Sequence, residues 1–169
     1  MKKKLHKNNQ GFIFLEIVIA VALISIVFTT LLSVAFLSLN ISSSIQQTMV
    51  ADSLAKEEIE ALRTFRDGTT WLTDGLGVVS FTSSNPYRLT LNNGVNPPKW
   101  DLTAGTETIG IFTRQVFFDK VSRDLTTKDI ESVYNASHDD PETRKVTVRI
   151  TWSGKTYNLV SYLTNWRDQ

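Results

Sequence analysis

The first half of the chain is dominated by a long run of apolar residues. Residues 17–51 contain no charged side chain, and residues 17–39 are almost wholly apolar. At a rise of 1.5 Å per residue, a helix of this length crosses a hydrocarbon core of roughly 30 Å. Four lysines precede the run. Because positive charge is retained on the cytoplasmic side of a membrane, the pattern predicts a cytoplasmic N-terminus and an exported remainder.

A helical period continues beyond the apolar run. The apolar positions on one broad face are Ile41, Ile45, Ala51, Leu54, Ala55, Ile59, Leu62 and Phe65, and the polar positions, mostly on the other face, are Lys56, Glu57, Glu60 and Arg63. Neither Pro nor Gly interrupts residues 12–67, so the pattern predicts one continuous helix that ends at Gly68. Glu60 and Arg63 are spaced to form a weak ion pair on this helix.

The second half of the chain changes to the alternating period of strands. The predicted strands are residues 87–91, 109–118, 145–152 and 156–163, the last two forming a hairpin. The predicted loops are residues 96–98 and 135–143, with residues 121–134 as a loop or a short helical piece. A sheet with one apolar face must cover it, and helix residues 51–65 offer a matching stripe. The sequence therefore predicts an α+β fold in which a long N-terminal helix packs on a C-terminal antiparallel sheet.

The junction between the basic leader and the apolar run carries a short motif. Gly11 ends the leader, and Phe12-Ile13-Phe14-Leu15-Glu16 follows it directly. This arrangement resembles the type IV prepilin signal. The resemblance implies that a membrane prepilin peptidase cuts after Gly11 and that the new terminal residue, Phe12, is N-methylated. It also implies a pilin-like organisation: a cleaved leader (residues 1–11), a helix (12–67) and an exported head (68–169).

Glu16 is the one charged residue near the start of the predicted span. A carboxylate near the end of a membrane helix costs on the order of a few kcal/mol unless it is compensated. Cleavage after Gly11 creates a candidate partner, the amino group of Phe12 on an adjacent subunit. The resemblance implies that Glu16 acts in this way during assembly with other pilin subunits on a membrane platform. Ser33 stands where many major pilins carry proline, and the chain has no cysteine. Both departures favour a minor pilin or a type II secretion pseudopilin over a major pilin.

Composition argues against catalysis and against most cofactors. The chain has no cysteine and two histidines, of which His6 lies in the leader, so a Cys–His pair or a multi-histidine metal site cannot be built. We expect no enzymatic activity. Asp139 and Asp140 are candidate calcium ligands with Asn135 and Glu142 nearby, although their spacing fits no EF-hand. The net charge of +1 does not indicate nucleic acid as a partner.

Two interpretations of the head and of the whole chain stay open. The large aromatic residues are Trp71, Trp100, Trp152, Trp166, Phe117 and Phe118. Packing explains such residues more often than a ligand-binding surface does. For the whole chain, we expect a pilus or secretion-pseudopilus subunit, anchored by a single pass in the inner membrane with its head periplasmic or extracellular. The alternative is a membrane-anchored binding or adhesion protein that never polymerises.

Overall fold

The computed structural model describes residues 10–81 and 85–167 of the chain. A single helix, α1, spans Gln10–Gly68. It begins two residues before the predicted start and ends at the glycine that the sequence marks as its stop. The described residues divide into two compact units, with the boundary between Gln46 and Gln47. The predicted leader, apart from its last two residues, lies outside the described part of the chain.

The first unit consists of the apolar part of α1. Every apolar side chain from residue 12 to residue 45 is exposed. Hydroxyl groups in this segment bond back to the helix itself: Ser25 Oγ donates to Val21 O at 2.7 Å and Ser33 Oγ to Thr29 O at 2.9 Å. The most apolar window of α1 has a mean hydropathy of 2.8, so by length and composition this helix can cross a membrane.

The second unit contains the rest of α1 and a sheet. Among the described residues, six antiparallel strands form one sheet with the order β2-β1-β4-β5-β6, and β3 pairs with β4. The strands are β1 (Tyr87–Asn92), β2 (Lys99–Ala104), β3 (Glu107–Ile109), β4 (Phe112–Ser122), β5 (Asp139–Trp152) and β6 (Lys155–Thr164). The fold is α+β, with the helix packed on an antiparallel sheet, as the sequence predicts.

The core lies between one face of α1 and one face of the sheet. From the helix it takes Ala51, Ala55, Ile59, Ala61, Leu62 and Phe65, and from β4 and β5 it takes Phe112, Val116, Phe118, Val146, Val148, Ile150 and Trp152. Alternate residues of each strand point to this face, whereas their neighbours point to the opposite face. The predicted apolar stripe of residues 51–65 is therefore confirmed as the covering layer of the sheet.

Two predictions about the second unit need correction. Residues 109–118 are not one strand, because Ile109 ends β3 and Gly110, with a φ of 59°, turns the chain before β4 begins. The predicted loop 135–143 is wrong from Asp139 onward. There β5 continues its pairing with β4 past a bulge at Lys120 and Val121.

Strand β2 was not predicted. It pairs with β1 along its whole length, from Tyr87 opposite Ala104 to Asn92 opposite Lys99. Residues 121–134, predicted as a loop or a short helical piece, form mostly a loop. Their first two residues finish β4, a bridge between Arg123 and Ile130 closes a turn, and residues 131–134 follow it without regular secondary structure.

Candidate functional sites

The predicted processing site lies at the start of α1. Gly11 and Phe12 belong to the first turn of the helix, and the Phe12 side chain is 80% exposed. The residues that follow it are exposed as well. The residue on the C-terminal side of the bond that the motif marks for cleavage is therefore not covered by the described residues.

Glu16 lies one helical turn after Phe12, with apolar residues on either side. Its side chain is exposed, and it forms no ion pair with any residue in the ranges 10–81 and 85–167. It is the one charged residue between residues 12 and 46. A cation that neutralises this carboxylate in apolar surroundings therefore has to come from outside the described residues.

The two predicted calcium candidates bind cationic side chains of the same chain. Asp140 Oδ2 accepts a hydrogen bond from Arg123 Nε at 2.6 Å. Burial alone would raise the pKa of Asp140, but the hydrogen bonds from Arg123, Thr143 and the backbone N–H of Glu142 hold it below its ordinary value. Asp139 accepts from Tyr134 Oη at 3.0 Å and lies 3.5 Å from Lys120 Nζ. The two carboxylates thus serve different partners.

The two neighbours of that acidic pair are also engaged elsewhere. Glu142 Oε2 accepts from Asn165 Nδ2 at 2.6 Å, and Asn135 Oδ1 accepts from the backbone N–H of Ser137 at 3.0 Å. Within residues 10–81 and 85–167, no three histidine or acidic side chains are grouped so as to hold a metal ion. The geometry offers no support for calcium binding at Asp139 and Asp140.

Most of the large aromatic residues pack in the core, as the sequence favours. Trp71, Trp152 and Phe118 are buried, and the indole N–H groups of the two tryptophans donate to Pro141 O and Gln47 Oε1 at 3.0 and 3.1 Å. Trp100 is half-buried against the same core. Two residues lie outside this core. Phe117 alternates to the opposite face of β4, where Arg149 Cζ lies 4.6 Å from the centre of its ring. Trp166 is exposed and donates to Asp67.

A buried ionic cluster joins α1 to the sheet, and the sequence interpretation missed it. Glu58 on α1 is 1% exposed, and its Oε2 lies 3.1 Å from Arg114 Nε on β4. Arg114 also binds Glu107 on β3 at 2.6 Å and lies 3.6 Å from Glu57. The other oxygen of Glu58 accepts a hydrogen bond from the backbone N–H of Leu89 at 3.2 Å. One carboxylate therefore contacts both β1 and β4.

The sequence carries a signal for this cluster. Glu58 stands three residues after Ala55 and four before Leu62, and so falls within the apolar stripe of α1. Arg114 lies two positions from both Phe112 and Val116 on β4, so its side chain points to the same face of the strand as theirs, the face toward the core. Two charged residues of opposite sign at core-facing positions indicate a buried pair.

Burial has the largest effect on the pKa of Glu58. Removal of the carboxylate from water raises its pKa from 4.5 to about 6, against the opposing attraction of Arg114 and the hydrogen bond from Leu89. Because that attraction offsets only part of the desolvation cost, Glu58 takes up a proton at a mildly acidic pH. We therefore expect the contact between α1 and the sheet to depend on pH.

The basic residues near the last hairpin do not form one exposed patch. Arg144 is buried, and it donates to the carbonyl groups of Leu76 and Gly77 at 3.2 and 3.0 Å. Burial lowers its pKa. Lys145 Nζ lies 3.3 Å from Asp119 Oδ2, and the guanidinium group of Arg149 stacks over the ring of Phe117. These cations already have partners within the second unit.

Comparisons with protein-family models, with curated proteins and with solved structures find no match to this chain. Inference of function therefore rests on the residues themselves and on their arrangement.

Proposed function

We propose that this chain is a structural subunit, a minor pilin or a pseudopilin, of a type IV pilus or a type II secretion-like pseudopilus. It is processed after Gly11 and polymerises through its N-terminal helix. The observation that carries the proposal is the first unit of α1, whose apolar side chains are exposed on every face from residue 12 to residue 45. A helix that is apolar all round requires lipid or other apolar helices around it.

A filament of such subunits meets that requirement in two stages. Before assembly, the apolar first part of α1 lies in the inner membrane with its N-terminus in the cytoplasm, and the β-rich head is exported. During assembly, the helices of neighbouring subunits replace the lipid around it. Both environments cover the same apolar surface, so the subunit can pass from the membrane to the filament without exposing this surface to water.

Glu16 makes the contact between the helices of neighbouring subunits specific. Apolar contacts alone do not fix the axial position of one helix against another, whereas a single charge pair does. Processing after Gly11 frees the amino group of Phe12, and the pairing of this group with Glu16 of an adjacent subunit neutralises both charges. The proposed partners are therefore the prepilin peptidase, other subunits of the filament and an assembly platform in the membrane.

The mature N-terminus gives the first test. Membrane-extracted protein from cells with a working filament machine should begin at Phe12 and carry one added methyl group, as measured by mass spectrometry. Gly11→Leu should block this processing, whereas Gly68→Leu, on the same helix, should not. An intact leader on the wild-type chain, or a start other than Phe12, contradicts the proposal.

Assembly gives the second test. Glu16→Ala should leave membrane insertion and cleavage intact but strongly reduce the amount of the subunit in sheared filaments. Glu60→Ala removes a carboxylate from an exposed ion pair of the same helix and should have no effect on incorporation. Equal incorporation of the Glu16 variant refutes the proposed charge pairing. A processed wild-type chain that is never found in filaments or their base indicates the membrane-anchored binding protein instead.

A further inference from the structure

A cavity of about 340 Å³ opens on the face of the sheet opposite to the helix-covered face. This volume falls within the range typical of small-molecule sites. Its floor is formed by Asp119, Lys145 and Tyr162, and its wall by Ile130, Ser132 and Tyr134. None of these residues has a part in the assembly through α1 proposed above.

The floor is a single row of side chains across three strands. Asp119 on β4 is paired in register with Lys145 on β5, which is paired with Tyr162 on β6. Residues directly opposite each other in a sheet point to the same face. The row therefore places a carboxylate, an ammonium group and an aromatic ring side by side.

The wall is held in place by backbone hydrogen bonds. Arg123 and Ile130 form a bridge, and Glu131 N donates to Ser122 O at 3.0 Å. Asn135 N donates to the hydroxyl of the same serine at 2.9 Å. Since both ends of the wall are anchored to β4, the cavity exists before any ligand arrives, which lowers the entropic cost of binding.

The two lysines that line the cavity are already paired with carboxylates. Lys145 Nζ lies 3.3 Å from Asp119 Oδ2, and Lys120 Nζ lies 3.5 Å from Asp139. Glu131 Oε1 contacts His138 Nδ1 at 3.0 Å, whereas the buried Oε2 accepts no hydrogen bond from the described residues and is open to a donor such as a ligand hydroxyl. A charged ligand would have to separate one of these pairs, whereas an uncharged polar ligand can add hydrogen bonds to them. The lining therefore favours a neutral ligand that carries many donors and acceptors.

Two partly exposed tyrosines complete the lining. Tyr134 is 42% exposed and Tyr162 is 45% exposed. A tyrosine presents an apolar ring face together with a polar hydroxyl, and it orders at a low entropic cost because it has few rotatable bonds. Ring faces of this kind suit the C–H face of a sugar ring, while paired carboxylate and ammonium groups suit its hydroxyls.

We propose that this cavity binds one sugar unit of an uncharged glycan. In the complex, Asp119 accepts hydrogen bonds from sugar hydroxyls, Lys145 donates to a sugar oxygen, and Tyr134 and Tyr162 contact the sugar ring. The site lies on the head and needs no polymerisation, so it stands or falls independently of the proposed filament role.

The test uses the full chain, purified in a polyoxyethylene detergent that contains no sugar. Glucose, galactose, mannose and N-acetylglucosamine are offered singly at millimolar concentrations, and saturation-transfer NMR detects binding on the sugar protons. At least one of them should show transfer. Tyr162→Ala should weaken its binding at least tenfold, as should Asp119→Asn. Trp166→Ala removes an exposed aromatic residue that does not line the cavity and should leave binding unchanged.

Several outcomes overturn the proposal. They are an absence of transfer to all four sugars, transfer that persists unchanged in Tyr162→Ala, and binding of inorganic phosphate in preference to any sugar. If Tyr162→Ala disturbs folding, as judged by tryptophan fluorescence, Tyr134→Ala takes its place because Tyr134 lies outside the strands. Loss of binding in that variant with unchanged fluorescence supports the site.

Discussion

Replacement of Glu58 by glutamine tests how the helix is held against the sheet. The substitution removes a buried charge and keeps a side chain of nearly the same shape, with an oxygen that can still accept from Leu89 N–H. Arg114 does not lose its counterion, because Glu107 remains at 2.6 Å. The variant therefore separates the cost of burying the Glu58 charge from the loss of a partner for the guanidinium group.

The expected magnitude follows from the pKa of Glu58. Folding raises this pKa from 4.5 to about 6, a change that corresponds to about 2 kcal/mol. The folded state binds the proton more tightly than the unfolded state does. The stabilisation is hence fully present below pH 4.5 and is lost as the pH rises through about 6. Glu58→Gln keeps a neutral side chain at every pH and should be more stable than the wild type by about 2 kcal/mol above pH 7.

Denaturant unfolding of the full chain in detergent, measured from pH 4.5 to pH 8, checks this expectation. The buried Trp71 and Trp152 provide the fluorescence signal. The informative quantity is the difference in unfolding free energy between variant and wild type at each pH. Other titrating groups, such as Asp140, change both proteins alike and cancel in this difference.

A flat difference across this pH range refutes the reasoning. So does a variant that is less stable than the wild type above pH 7, since the attraction between Glu58 and Arg114 then exceeds the desolvation cost. Glu60→Gln is the matched control. Its carboxylate is exposed and pairs with Arg63 at 2.7 Å, so its removal should change stability by less than about 1 kcal/mol at any pH.

Two further predictions concern packing in the second unit. Gly77→Ala should destabilise the fold by on the order of 2–4 kcal/mol, because an added Cβ meets Trp71 O at 2.5 Å. At Gly68 an added Cβ meets nothing within 4 Å, so Gly68→Ala should be nearly neutral. Equal midpoints in urea unfolding of the two variants would disprove this. Leu62→Ala should cost about 2–5 kcal/mol in the same assay, and the exposed Leu72→Ala less than about 1 kcal/mol; similar losses from both would show that Leu62 is not part of the core.

The parts of the fold that the sequence predicts are those with a long, regular period. The helix has an uninterrupted run of helical residues. The last hairpin has eight alternating residues, 145–152, directly before the turn at Ser153 and Gly154. Strand β2 was missed although residues 99–104 alternate polar and apolar side chains, because the preceding Pro97 and Pro98 indicate a loop and the strand lies at the edge of the sheet, where only β1 pairs with it. The start of β5 was missed because Pro141 resembles a loop residue, yet a bulge accommodates it.

The sequence carries the candidate processing site more completely than it carries any site of the head. Gly11, Phe12 and Glu16 form a local motif, so their resemblance to the type IV prepilin signal can be seen in the sequence without a structure. The cavity depends on residues 130–134 folding back on β4 and on the register of three strands. No local pattern encodes either feature. Tyr134 and Tyr162 are 28 residues apart in sequence and line the same cavity only in the folded chain.

Two glutamates of α1 show why a buried or apolar setting predicts a partner without identifying it. Both Glu16 and Glu58 interrupt an apolar stretch, and such a position is costly without a cation. Glu58 obtains its cation from Arg114, which is 56 residues later in the same chain. For Glu16, the described residues supply none. We propose that the same physical requirement is met for Glu16 by the amino group of Phe12 on an adjacent subunit, so that a carboxylate that is costly in the monomer becomes a stabilising contact between subunits.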